Sequence, residues 1–111
     1  MDITQVVYQI YRQDNVATAL VGLLEGEVTV NGDAAQKIIT AVEKIPSGHK
    51  ISLFDINNGE NIVKYGVVIG QATMDIQKGS WVHLHNMKSL YDERSSHLDA
   101  VTGAPKDTNY D

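Results

Sequence analysis

The 111-residue chain contains no cysteine. This absence excludes disulfide bonds, zinc sites built from thiolates and cysteine nucleophiles. A chain of this length can bury one hydrophobic core but not two, so we expect a single domain. Because a self-sufficient enzyme of this size is uncommon, a partner chain has to be considered from the start.

Positive charge and long hydrophobic runs are also scarce. The chain has 9 Lys and Arg residues against 14 Asp and Glu residues, and the basic residues do not cluster. This balance argues against binding to nucleic acid or to an anionic membrane. The N-terminus has no basic and apolar regions typical of a signal peptide, and the apolar stretch around residues 67–69 is far too short to span a membrane. We therefore expect a cytoplasmic protein.

The N-terminal residues predict a strand followed by one short helix. Side chains alternate in character over residues 4–10, which is the period of a strand. Asp14 and Asn15 are residue types that cap helices. We therefore expect a helix of about two turns over residues 16–23, which Gly26 brings to an end.

A hairpin is predicted after this helix. Residues 27–30 have the alternation of a strand. Asn31-Gly32-Asp33 is a strong signal for a two-residue hairpin turn, because its central positions tolerate positive φ. The chain would then return as a strand over residues 37–41.

One spacing occurs three times between residues 45 and 82. It consists of an apolar residue, two others, a glycine, two others and a second apolar residue. Glycine supplies positive φ without steric cost, so each copy predicts a strand that ends in a tight turn. The repeat therefore predicts a mostly β structure with short strands and sharp corners. The three copies run from Ile45 through Gly48 to Ile51, from Ile56 through Gly59 to Ile62, and from Ile76 through Gly79 to Val82.

The segment from Trp81 to Asn86 carries the most chemical information. On a strand, Trp81, His83 and His85 would share one face, with the two imidazoles about 6–7 Å apart. That separation suits two ligands of one metal ion, or two groups that hold an anionic substrate. An ordinary polar strand face is the alternative, and a third metal ligand would have to come from elsewhere.

Two further positions have both a functional and an ordinary interpretation. Lys64 beside Tyr65 could form an acid–base pair, or it could be a solvated lysine beside a packed tyrosine. His49 and Lys50 follow the glycine of the first turn, where they could hold a carboxylate or a phosphate, or simply form a polar turn.

The strings DNVATAL and GHKISLFDINNGENIVKYGVVIGQATMDIQKGSWVHLHN resemble the N-terminal SAF domain of the altronate dehydratase–galactarate dehydratase family. The likeness covers roughly residues 3–87, and three motifs carry it in order: Gly-His-Lys, Lys-Tyr-Gly and His-x-His-Asn. It implies an SAF-type β-clip fold, mostly β, for residues 1–87. Residues 88–111 are polar and are expected to form a C-terminal tail or docking arm.

The resemblance also implies a function. Enzymes of this family remove water from sugar acids such as altronate or galactarate to give 2-keto-3-deoxy acids, and a sister group removes sulfite from 3-sulfolactate. The chain is therefore expected to be the small subunit of an altronate-type hydro-lyase that is inactive without its large subunit. The alternatives are the small subunit of a sulfolactate sulfo-lyase, and a non-catalytic module for assembly or sugar-acid binding. The isolated chain is also a candidate homo-oligomer.

Roles for individual residues come from the same resemblance. It implies catalytic roles for His83 and His85, which are also the expected ligands of a divalent metal, typically iron(II), shared with the large subunit. His49, Lys64 and Asn86 are the expected substrate-binding residues. Which histidine is a ligand and which is an acid or base stays open at this point.

Overall fold

The computed structural model describes residues 5–90, and the elements within them are nine β-strands. The mostly β class is thus confirmed. The strands form a six-stranded sheet in the order β4-β3-β1-β2-β5-β8 and a three-stranded sheet in the order β6-β7-β9. Their bounds are β1 Val6–Gln9, β2 Val16–Ala19, β3 Gly26–Gly32, β4 Ile38–Ala41, β5 Lys50–Ser52, β6 Asn61–Lys64, β7 Val67–Ala72, β8 Trp81–Val82 and β9 Met87–Ser89.

Two clusters of buried apolar side chains form the core. The larger one is formed by residues of the six-stranded sheet such as Val7 and Ile51, together with Ile45 and Leu53 from its loops. The smaller one joins Val16 of β2 to residues of the three-stranded sheet such as Ile62. Among the described residues there is no helix long and apolar enough to cross a membrane.

The helix predicted over residues 16–23 is wrong. Residues Val16–Ala19 form strand β2, which pairs in antiparallel fashion with β1 on one side and with β5 on the other. Val16, Ala17 and Ala19 are all buried. Local composition permits a helix here, but hydrogen bonding to two neighbouring strands overrides that weak preference.

Asp14 does not cap a helix, because its carboxylate is used by two turns. Oδ2 accepts hydrogen bonds from the backbone N–H groups of Tyr11 at 3.2 Å and Tyr65 at 3.0 Å, and Oδ1 accepts from Gly66 at 2.8 Å. The residue is 1% exposed. A single buried carboxylate therefore connects the loop before β2 to the turn between β6 and β7.

Asn15 extends this connection between the two sheets. Its side-chain Oδ1 accepts from the N–H of Val63 at 2.7 Å, and its Nδ2 donates to the carbonyl of Asn61 at 2.9 Å. Its backbone N–H donates to the Val63 carbonyl, and its own carbonyl accepts from Leu53. The predicted capping pair thus serves as a clamp between β6 and the six-stranded sheet.

The predicted hairpin exists, but its turn is longer than two residues. Strands β3 and β4 pair in antiparallel fashion. Asn31 and Gly32 still belong to β3, where they pair with Tyr8 and Gln9 of β1. A Cβ on Gly32 would lie 2.0 Å from the Gln9 carbonyl oxygen, so this glycine serves the close approach of two strands.

The three glycine corners are confirmed, and a fourth accompanies them. Gly48, Gly59 and Gly79 have φ values of 85°, 92° and 88°. The fourth corner runs from Leu23 to Gly26, within the segment predicted to end the helix. Isolated bridges pair the corners two by two, Leu23 with Ile45 and Ile56 with Ile76.

The second pair of corners is closed by reciprocal aspartates. The Asp75 carboxylate accepts from the N–H of Asn58, and the Asp55 carboxylate accepts from the N–H of Lys78, each at 2.8 Å. Each aspartate precedes one corner and stabilises the turn of the other. This arrangement explains the repeated Asp-Ile in the sequence.

Strand β9 lies across the predicted domain boundary between residues 87 and 88. It pairs with β7 through Gly70–Ser89, Gln71–Lys88 and Ala72–Met87. Residues 91–111 of the predicted tail lie outside the described residues, and so does His97.

We predict that Asp14→Asn lowers the free energy of unfolding by about 2–3 kcal/mol, because an amide group replaces one acceptor oxygen that faces backbone N–H groups. Asp33→Asn is the control, since Asp33 forms an exposed ion pair with Arg12, and such pairs contribute at most about 1 kcal/mol. Urea denaturation measures both variants. Equal losses would show that the Asp14 carboxylate has no special role.

A second prediction compares two paired corners. Gly59→Ala meets no atom within 4 Å, so only its positive φ is strained, at about 1–2 kcal/mol. A Cβ on Gly79 would lie 2.0 Å from the Thr40 carbonyl oxygen. We therefore expect Gly79→Ala to lower the melting temperature much more than Gly59→Ala. Similar melting temperatures for the two variants would contradict this packing.

Candidate functional site

The strand predicted for the His-x-His segment ends earlier than expected. Strand β8 contains only Trp81 and Val82. A turn follows, in which the His83 carbonyl accepts from the N–H groups of Asn86 and Met87, both at 3.0 Å. His83 and His85 therefore lie on a turn, and the predicted alternation of one strand face is wrong.

Asn86 is the physical reason for this turn. Its Oδ1 accepts from the N–H of His83 at 3.0 Å, and its Nδ2 donates to the carbonyl of Trp81 at 2.9 Å. The residue is 5% exposed. Both ends of its amide thus hold the backbone that carries the two histidines, and substrate contact by Asn86 stays a prediction.

His49 reaches the same place from a different part of the chain. It follows the positive-φ glycine of the first corner, and its carbonyl accepts from the N–H of Ala19 in β2 at 2.8 Å. Strands β5 and β8 pair Lys50 with Val82 and Ile51 with Trp81. If this pairing is continued by one residue beyond Lys50 and Val82, His49 lies opposite His83. The centroids of their two rings are 4.7 Å apart.

Trp81 lies at the centre of these rings. Its indole is nearly parallel to the His83 ring, at 13° with centroids 5.9 Å apart. The His85 ring is 5.0 Å away and tilted by 50°, and the His49 ring meets the indole edge-on at 5.6 Å. We call these four residues, Trp81, His49, His83 and His85, the Trp81 cluster.

The cluster lies at the surface of the domain. Trp81, His49 and His83 are half-buried, while His85 is exposed. The indole Nε1–H donates to Nδ1 of His49 at 3.1 Å. Half-buried imidazoles beside an aromatic ring offer hydrogen-bonding and proton-transfer groups to a ligand that arrives from solvent.

Lys64 is not part of this cluster. It ends strand β6, and its Nζ lies 4.8 Å from the centroid of the Tyr65 ring. Asn15, which precedes β2, bonds to Val63, the neighbour of Lys64 in the chain. His49 instead bonds to Ala19, at the other end of β2. Four residues of a strand span about 13 Å. The structure therefore separates two of the predicted substrate-binding residues, Lys64 and His49.

The predicted metal site is not complete within the described residues. Among them, no group of three or more His, Cys, Asp or Glu side chains could hold a metal ion. Metal binding by these histidines stays a prediction.

Residues 5–90 match the family model described as the altronate/galactarate dehydratase SAF domain. The chain belongs to this family. The resemblance carried by the Gly-His-Lys, Lys-Tyr-Gly and His-x-His-Asn motifs is thereby confirmed, and the Trp81 cluster lies entirely within the matched SAF domain.

Individual relatives differ in how much of their length the SAF domain represents. Altronate dehydratase of Escherichia coli (strain K12) is 43% identical over 82 residues, and altronate dehydratase of Bacillus subtilis (strain 168) is 41% identical over 81. Each match covers 73% of this chain but only 16% of the relative. The (2R)-sulfolactate sulfo-lyase subunit alpha of Paracoccus pantotrophus is 37% identical over 60 residues, which cover 54% of this chain and 90% of that subunit.

Trp81 is the site residue that sequence reasoning missed, since the sequence pattern places it on one face with His83 and His85 but gives it no functional role. Asn86 is the signal that could have corrected the prediction of a strand through His83 and His85, because Asn side chains readily bond to the nearby backbone and form turns. The grouping of His49 with His83 had no local signal, because it depends on the pairing of β5 with β8.

We predict that Asn86→Ala destabilises the SAF domain by about 1–3 kcal/mol, because it leaves two partly buried backbone groups, the N–H of His83 and the carbonyl of Trp81, without their partners. Asn58→Ala is the control, since Asn58 is exposed and contributes its backbone N–H to Asp75. Thermal unfolding measures stability, and the imidazole NMR signals of His83 and His85 report the turn. Unchanged stability and unchanged imidazole signals in Asn86→Ala would contradict the role of this amide.

Proposed function

We propose that the chain is the small subunit of a sugar-acid dehydratase of the altronate type, which acts together with a large catalytic subunit. The Trp81 cluster is the observation that supports this proposal most directly. It brings His49 from the first glycine corner together with His83 and His85 from the turn after β8, at the surface of the SAF domain. A surface site of this kind suits a substrate that is held between two protein chains.

The reaction needs a base, an acid and an anion-binding group. A base removes the proton on the carbon next to the carboxylate, the electron pair of that C–H bond forms the new C=C bond, and the β-hydroxyl leaves as water after it accepts a proton. The resulting enol becomes the 2-keto-3-deoxy acid. An imidazolium is a suitable donor of the proton that the hydroxyl takes.

In this proposal His83 or His85 supplies the proton to the leaving hydroxyl. Both lie on the turn held by Asn86, and His85 is the more exposed of the two. His49 binds a carboxylate or hydroxyl oxygen of the substrate through its second ring nitrogen, because its Nδ1 already accepts from Trp81. The base and the remaining substrate contacts come from the large subunit.

The need for a large subunit is supported by the coverage of the altronate dehydratases. The SAF match represents 16% of those relatives, so most of each polypeptide lies outside it. The iron(II) that the resemblance implied would take its remaining ligands from that other part.

The small subunit of a sulfolactate sulfo-lyase is the second candidate. It is favoured by the match to a sulfo-lyase subunit alpha, 90% of which is covered. The departing group would then be sulfite, and the same histidines would lie beside it.

The test is reconstitution with a large subunit of the family that lacks an SAF region. We expect neither chain alone to dehydrate altronate or galactarate, and the mixture to form 2-keto-3-deoxy acid. Release of sulfite from 3-sulfolactate by the mixture would instead identify the second candidate, the sulfo-lyase. We compare His83→Ala with His85→Ala. The variant that removes the proton donor should have a kcat lower by about 100-fold or more.

Lys78→Ala is the matched control, because this lysine is exposed and bonds to Asp55 through its backbone. Size-exclusion chromatography must show that each variant still forms the complex. Full activity of the large subunit alone would overturn the catalytic proposal and favour an assembly module. Unchanged activity of both histidine variants in an intact complex would show that the histidines of the Trp81 cluster have no catalytic role.

A further inference from the structure

Trp81 is held rigidly at both of its backbone polar groups. Its N–H donates to Oε2 of Glu43 at 3.0 Å, and its carbonyl accepts from Nδ2 of Asn86. The strand pairing with Ile51 fixes its direction further. The indole therefore presents its ring and its N–H from a defined position.

The indole N–H determines which nitrogen of His49 carries a hydrogen. An indole is only a hydrogen-bond donor, so the nitrogen that faces it must be an acceptor. That nitrogen is Nδ1 of His49, at 3.1 Å from Nε1 of Trp81. A neutral His49 ring consequently carries its hydrogen on Nε2.

We propose that Trp81 is a positioning residue that orients His49 and fixes it as an Nε2–H donor. The consequence for catalysis rests on the proposed function. In the Nε2–H form His49 donates to a carboxylate or hydroxyl oxygen of the sugar acid. In the opposite form a bare ring nitrogen would repel the lone pairs of a carboxylate oxygen and could only accept a hydrogen bond from a hydroxyl.

The same indole also supports the two histidines of the turn. His83 is stacked nearly parallel to it, and His85 lies against it at 5.0 Å. These ring contacts depend on an aromatic side chain, whereas the bond to His49 depends on the N–H alone. Trp81→Phe therefore removes the hydrogen bond and retains an aromatic ring at the same place.

The first test is ¹⁵N NMR on the full 111-residue chain at about pH 8.5, where an unperturbed imidazole is neutral. The chain has one tryptophan, so its indole signal needs no further assignment. We expect a scalar coupling across the hydrogen bond between indole Nε1 and His49 Nδ1, and an Nε2–H pattern for His49. A hydrogen on Nδ1, or an indole N–H that exchanges as fast as in a free peptide, would overturn the proposal.

The second test uses kinetics of the reconstituted complex. Loss of one neutral hydrogen bond should lower kcat/KM by about tenfold in Trp81→Phe. Because Trp81 acts through His49, the double variant with His49→Ala should be no slower than His49→Ala alone. A further decrease in the double variant would show that Trp81 acts independently of His49.

The two tests separate this inference from the proposed function. If the complex acts on neither sugar acids nor sulfolactate, the proposed function fails, yet the NMR result still decides the form of His49. If the complex is active and the coupling is absent, the function stands and the role of Trp81 is refuted. Thermal unfolding of Trp81→Phe shows whether the variant is folded.

Discussion

The buried carboxylate of Asp14 is the interaction on which the arrangement of the two sheets depends. A charge that is taken out of water is tolerated only when hydrogen bonds replace its hydration, and Asp14 obtains them from Tyr11, Tyr65 and Gly66. Two of these donors belong to the turn between β6 and β7, so the three-stranded sheet is fixed to the loop before β2. Asn15 continues the connection into β6. β2 pairs with β5, and β5 pairs with β8, which carries Trp81 at the centre of the Trp81 cluster.

The glycine corners could be predicted from the sequence. The same local reasoning gave no ground to reject the helix predicted over residues 16–23. Positive φ is a property of a single residue, so Gly48, Gly59 and Gly79 reveal their turns locally. Residues 16–23 offer no such local constraint, and their strand forms only because β1 and β5 lie on either side.

The candidate site could be predicted in part for a similar reason. His83 and His85 are close in sequence, so their shared neighbourhood follows from any local structure. The turn that carries them is held by Oδ1 and Nδ2 of the Asn86 side chain. The alternation of side chains along the sequence does not reveal these two hydrogen bonds. The contact between His49 and His83 depends on the register of β5 and β8. Pairing between distant residues is a tertiary property, and the sequence pattern contains no direct record of it.

The separation of Lys64 from the Trp81 cluster limits what one substrate can contact in this chain. His49 is tied to Ala19 at one end of β2, and Asn15 at the other end is tied to the strand that Lys64 completes. A small ligand beside His49 and His83 would therefore not reach the Lys64–Tyr65 turn. The predicted site residues thus divide into two groups, and the three histidines form the group whose rings lie side by side around Trp81. Under the proposed function, the partly exposed position of His49 and His83 and the exposed position of His85 would leave the opposite side of the substrate to the large subunit.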